Sequence, residues 1–134
     1  MRQWLAFVAL VFAGGTAGTL ARYLLSLAIP AWNGLPVATF AINVSGAFLL
    51  GWLLESLSRR GDDGARRALR LLLGTGVLGG YTTYSAFAVD ADGLIASADV
   101  AGATLYALAT VIVGAAATVG GIAVGSAVPR RRSS

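Results

Sequence analysis

Gly74-Thr75-Gly76-Val77-Leu78-Gly79-Gly80-Tyr81-Thr82-Thr83-Tyr84-Ser85-Ala86-Phe87 is the stretch that decides the fold. It lies inside an uncharged run, residues 71–89, of about the length a helix needs to cross a bilayer, roughly 20 residues. Yet Gly79-Gly80 followed by Thr82-Thr83 is poor material for a continuous helix. Irregular backbone halfway across a membrane is tolerated only where it is buried in protein or lines a cavity. Broken spans of this kind commonly mark ion sites, because freed carbonyls hold cations and half-helix N-termini attract anions. The plain alternative is a kink filled by neighbouring helices. Beyond the break, Tyr84 and Phe87 stand i, i+3 and share a face. Such a pair either packs or, through its electropositive ring edges, lines an anion path.

Working outward, three more apolar stretches flank this one. The expected fold is therefore an all-α membrane protein of four transmembrane helices, the third broken near the midplane. The spans are expected at about 4–29, 35–55, 70–90 and 99–126, forming a single transmembrane domain over 1–134. The composition agrees: 57% of residues are hydrophobic and 12% charged, against about 45–50% and 25% in soluble domains. A soluble fold of 134 residues could not hide so much apolar surface. Arg2 and the apolar run after it imitate a secretory signal peptide, but the run continues through the supposed cleavage zone and no polar domain follows. The chain has no Cys and no His, which excludes disulfides, thiolate or imidazole metal sites and Ser–His–Asp triads. No nucleophile–base set stands out, so an enzyme is not expected.

All ten basic residues are Arg. Nine of them fall at the N-terminus (Arg2), in the loop 55–70 (Arg59, Arg60, Arg66, Arg67, Arg70) and in the tail (Arg130, Arg131, Arg132). With four spans these three regions share one side. Arginine concentrates on the cytoplasmic side of membrane proteins, so both termini are expected in the cytoplasm, with the chain in the inner (plasma) membrane. In this setting the charge reads as topology, and no nucleic-acid partner is expected.

Two further polar patches interrupt the apolar spans. In the first, Gly14 and Gly18 stand four apart, the spacing of a small-residue packing seam. Arg22 follows them inside the first span, where a charge faces protein or water, or else snorkels to the outer interface. Its candidate role is at a vestibule, either attracting anions or structural. In the second patch Asn43 needs a partner, because unpaired amides are costly in hydrocarbon. It either bonds a neighbouring helix or turns its N–H groups toward a passing anion.

Taken together these patches resemble the Fluc (CrcB) family of small fluoride channels along nearly the whole chain. The matching elements are Gly14-Gly15-x-x-Gly18-x-x-x-Arg22-Tyr23, Thr39-x-x-x-Asn43-x-x-Gly46-x-Phe48-x-x-Gly51, and Gly76-x-x-Gly79-Gly80-x-Thr82-Thr83-Tyr84-Ser85-x-Phe87 ending in Asp90. The resemblance implies an antiparallel dimer with two fluoride pores and a structural, untransported Na⁺ on the dimer axis. On this chain the backbone carbonyls of Gly79 and Thr82 would hold that Na⁺. The resemblance also implies pore roles for Asn43, Thr83, Tyr84, Ser85, Phe87 and Tyr106, and places Asp90 near the pore end. Two positions depart from the family pattern: Tyr84 stands where Phe is common, and Ala86 replaces a usual Thr.

The implied function is a fluoride-specific channel that exports fluoride passively and relieves its toxicity. The residues suit that work. Fluoride holds its water tightly, and amide, hydroxyl and aromatic-edge donors can replace that shell without a fixed cation that would trap the ion. Two other functions were weighed against it. A small multidrug-type transporter would need a mid-span carboxylate, and Glu55 and Asp90 lie at span ends. A non-conducting assembly subunit would explain the glycines but not Asn43 beside a broken helix. The nine-to-none Arg asymmetry adds an expectation about the partner. A chain held in one orientation needs an oppositely oriented homologue, so the antiparallel dimer is expected to be a heterodimer.

Overall fold

The computed structural model describes residues 2–58 and 64–127, without the side chain of Arg2. Arg59, Arg60 and Arg130–132, which carry much of the topology argument, lie outside the described residues. Helices α1 (Arg2–Ala28), α2 (Val37–Ser58) and α6 (Val100–Ala127) are unbroken. All three are long and apolar enough to cross a membrane. The third segment is assembled from pieces: α3 (Gly64–Leu69), a π-helical stretch (Arg70–Leu78), α4 (Gly79–Tyr81) and, after an interruption, α5 (Tyr84–Ala96). Among the described residues the architecture is all-helical, with four segments of which the third is broken.

The break does not fall on the glycines. Gly79 and Gly80 stay helical, while Thr82 (φ −77°, ψ 155°) and Thr83 (φ −149°, ψ 124°) are extended. β-Branched threonine tolerates extended backbone well. Thr83 then caps α5, its Oγ1 accepting the N–H of Ala86 at 3.1 Å. The glycines have another task. A methyl group on Gly80 would fall on the carbonyl of Gly15, and one on Gly18 would fall on the carbonyl of Val77. They let α1 and the third segment touch backbone to backbone. The π-helical turns of Arg70–Leu78 lead into the break, with the Gly79 N–H shared between the carbonyls of Gly74 and Gly76. Wide turns of this kind are rare and often adjoin functional sites.

The first connection is a tight hairpin turn. Asn33 and Gly34 both adopt positive φ (50° and 78°) between the paired Trp32 and Leu35. Asn-Gly favours that geometry. Two small cores hold the ends of the bundle. Leu53, Leu57 and Leu78 form one, while Leu94, Ala103 and Tyr106 form the other. Much of the remaining apolar surface faces outward, including Trp4, Phe12, Leu27 and Val111. Lipid or a partner must cover it, because water would not tolerate so large an apolar surface.

Candidate functional site

Two helices hold the break, one from each side. From α1, the Arg22 guanidinium (Nε) donates to the Gly80 carbonyl at 3.2 Å, and Thr19 Oγ1 reaches the same oxygen at 3.4 Å. From α2, Asn43 makes two bonds to a single residue. The Thr83 N–H donates to Asn43 Oδ1 at 2.8 Å, and Asn43 Nδ2 donates to the Thr83 carbonyl at 2.9 Å. Two residues further along α2, Ser45 Oγ and the Tyr81 hydroxyl share a hydrogen bond at 3.0 Å. Gly46 leaves room for Thr82, whose methyl a side chain there would strike. Both open readings of Arg22 and Asn43 thus acquire a structural component. Arg22 turns inward onto the third segment, and Asn43 bonds the neighbouring helix while one of its two amide N–H groups remains.

The break frees backbone oxygens. In a continuous helix the Gly79 carbonyl would accept from the Thr83 N–H, and the Thr82 carbonyl from the Ala86 N–H. Here Asn43 takes the first donor and the Thr83 hydroxyl takes the second. The two carbonyls named from the sequence are therefore among those stripped of their helical donors. Neutral oxygen ligands at an unwound helix suit a small hard cation such as Na⁺.

On the other face of the break lies an open groove of about 420 Å³ between α2, α5 and α6. Asn43, Gly46, Thr82, Thr83, Tyr84, Phe87, Thr110 and Thr118 line it, and none of them is charged. Tyr84 projects from the chain, 82% exposed. An aromatic run continues inward, with ring centroids 6.0 Å apart from Tyr84 to Phe87 and 5.3 Å from Phe87 to Tyr106. Tyr106 is buried behind Phe87 and does not reach the groove wall. Its hydroxyl donates to Asp90 Oδ2 at 3.4 Å. Ser85 also stays off the wall and pairs with the Thr83 hydroxyl at 3.2 Å.

The sequence reading passed over Thr110 and Thr118. They lie on one stripe of α6 with Tyr106 and Gly114, four residues apart, and that spacing was the signal available. Their hydroxyls donate to the carbonyls of Tyr106 (2.7 Å) and Gly114 (3.0 Å), which leaves their oxygens as acceptors; each becomes a donor to the groove only by rotating away from that carbonyl. Thr19, Ser45 and Tyr81 were also passed over. Each is an ordinary polar residue in a span, and only the fold brings it to the break.

The family model for CrcB-like protein, Camphor Resistance (CrcB), matches residues 9–122. The chain belongs to the CrcB family. It is 62% identical over 124 residues to the fluoride-specific ion channel FluC 2 of Leifsonia xyli subsp. xyli, covering 92% of this chain and 86% of that one. It is 48% identical over 110 residues to fluoride-specific ion channel FluC 1 of Cutibacterium acnes, covering 81% and 77%. With fluoride-specific ion channel FluC of Phenylobacterium zucineum the figures are 43% over 115 residues, 84% and 90%. These CrcB relatives are named as channels, which is not an enzyme class. Family and apolar helices together make this chain a multi-pass membrane protein.

Proposed function

We infer that this CrcB chain is one subunit of a fluoride-specific channel through which fluoride leaves the cytoplasm down its electrochemical gradient. The observation that carries this reading is the uncharged groove beside the clasped break, lined by Asn43, Thr83, Thr110 and Thr118 together with Tyr84 and Phe87 of the aromatic run. A small, strongly hydrated anion needs close donors, and a neutral wall lets it leave again. Hydrogen fluoride entering from an acidic exterior ionises inside, so a passive exit suffices. In the pore reading Asn43, Thr83, Tyr84 and Phe87 meet the ion. Ser85 and Tyr106 support those groups from behind, and Asp90 holds Tyr106. The deciding experiment is fluoride efflux from liposomes containing the chain purified together with its partner subunit. Efflux of fluoride with chloride retained supports the reading, and equal leakage of both sinks it.

The groove is open along one side, which suits a second subunit as its missing wall. In an antiparallel dimer two such grooves make two pores. The carbonyls of Gly79 and Thr82 would hold Na⁺ between the subunits, where a bound cation supplies fixed positive charge that ties the two breaks together. The Arg distribution favours a single orientation, both termini cytoplasmic in the plasma membrane, and hence an oppositely oriented homologue as partner. Expression of this chain alone tests that last point. Strong efflux with molecules inserted both ways up would refute the heterodimer.

A further inference from the structure

Asn43 bonds both the N–H and the carbonyl of Thr83. A primary amide can do this only when the two backbone groups face the same way. In a helix the N–H and C=O of one residue point in opposite directions along the axis. In extended backbone they point to the same side, as in the hydrogen-bonded pairs of an antiparallel ladder. Thr83 is extended, at φ −149° and ψ 124°. The two-point bond therefore recognises the broken conformation and has no counterpart in an unbroken helix. It also removes the Thr83 N–H from the Gly79 carbonyl, its partner in a continuous helix.

We propose that Asn43 is a positioning residue for the cation-binding break as well as a pore-wall group, so that one side chain couples the fluoride path to the backbone site for Na⁺. The coupling runs through a single peptide group. Asn43 facing the groove holds Thr83 extended, extended Thr83 leaves the Gly79 carbonyl without its helical donor, and that carbonyl is then available to the cation. By linkage, a cation that binds only the broken state tightens the Asn43 clasp in return. This proposal rests on the cation reading given above.

The test is thermal unfolding of the full chain with its partner in detergent, in Na⁺ or in N-methylglucamine at constant ionic strength. The wild type is expected to be stabilised by Na⁺ with a measurable midpoint. Asn43→Ala, which frees the Thr83 N–H to return to Gly79, is expected to raise that midpoint at least tenfold. Asn43→Asp keeps an oxygen for the Thr83 N–H and is expected to hold the midpoint at or below the wild-type value, whatever it does to fluoride efflux. An Asn43→Ala midpoint equal to wild type overturns the coupling, as does an Asn43→Asp midpoint raised as far as the alanine's. Hydrogen exchange on the wild type covers the case in which the alanine variant does not fold. Exchange in the segment spanning Thr83 should slow at least tenfold on adding Na⁺, and no change there overturns the proposal. A wild type indifferent to Na⁺ by both measures defeats the cation reading and the coupling together. Fluoride efflux measured on the same preparation reports on the channel reading separately.

Discussion

Glycine brings α1 against the third segment, and glycine brings α2 against α6, with much the same spacing in both seams. Gly14 of α1 meets Gly76, Gly18 meets the backbone of Val77 and Tyr81, and Gly80 meets the backbone of Gly15. Gly51 of α2 meets the backbone of α6 at Thr118, while Gly121 and Gly125 of α6 meet the backbone of α2 at Phe48 and Trp52. In a bilayer, close backbone approach of this kind takes the place of the hydrophobic drive available in water. The difference lies in what crosses each seam. Arg22 and Thr19 reach over the first to the Gly80 carbonyl. At the glycines of the second, Thr118 bonds back to its own helix, and the polar contact between α2 and α6, Thr39 with Tyr106, lies at the far end of the pair. A seam of glycine alone fixes a distance, whereas glycine with a polar link also fixes the register, and register is what a helix break must have to present chosen carbonyls.

The largest effect of the difference between the seams is expected at Gly18. A methyl group there would collide with the Val77 carbonyl and lie 2.9 Å from the Tyr81 nitrogen. Sliding the helices apart would relieve the clash but would pull Arg22 from Gly80. Gly18→Ala is therefore expected to destabilise by more than ~3 kcal/mol, at the upper end for overpacking, and to abolish fluoride efflux. Gly121→Ala meets the Phe48 carbonyl just as closely. The polar contact of this seam, Thr39 with Tyr106, lies far along it from Gly121, so a loss of about 1–2 kcal/mol with efflux retained is expected. Denaturant titration in mixed micelles measures both. Equal losses at the two glycines would erase the distinction between the seams.

Arg22→Ala probes the link itself. It removes a charged donor from a part-buried carbonyl, a bond of the kind worth about 1.5–3 kcal/mol. A loss near 2 kcal/mol is expected, and Gly121→Ala should add to it independently, since the two sites share no partner. Combined with Gly18→Ala, the loss should be less than additive, because that variant has already displaced the same bond. Full additivity in that pair would mean that Arg22 does not hold the register.

The four segments and the interruption of the third could be read from hydropathy and from the Gly-Gly-x-Thr-Thr run, because both depend on local composition. The place of the break could not be read so finely. The sequence pointed at the whole run from Gly79-Gly80 to Thr82-Thr83. Packing kept the glycines helical against α1 and confined the break to Thr82-Thr83, where Asn43 and the Thr83 cap replace the missing helical bonds. The partner of Asn43 lies 40 residues away, and neither periodicity nor spacing encodes that pairing. The π-helical turns before the break had no signal for the same reason. Arg22 and Asn43 stood out because polar groups in lipid demand an explanation, whereas Thr110 and Thr118 did not, since a hydroxyl can bond its own helix and cause no conflict.

The smallest effect is expected at a residue that touches neither seam. Two residues beyond the end of helix α5, Ala98 sits at φ 64°. The Ala98 N–H bonds Ile95 at 2.9 Å and the Asp99 N–H bonds Leu94 at 2.9 Å. This is the pattern in which glycine is the common residue at the left-handed position, and alanine there carries a steric penalty of roughly 1–2 kcal/mol. Ala98→Gly relieves that penalty but gives the unfolded chain more freedom, so a net gain of about 0.5–1 kcal/mol is expected. Because the turn joins α5 to α6 without bonding the break, fluoride efflux and its Na⁺ dependence should not change. A shift in either would mean that the α5–α6 corner takes part in setting the register, and the polar link of the first seam would no longer account for it alone.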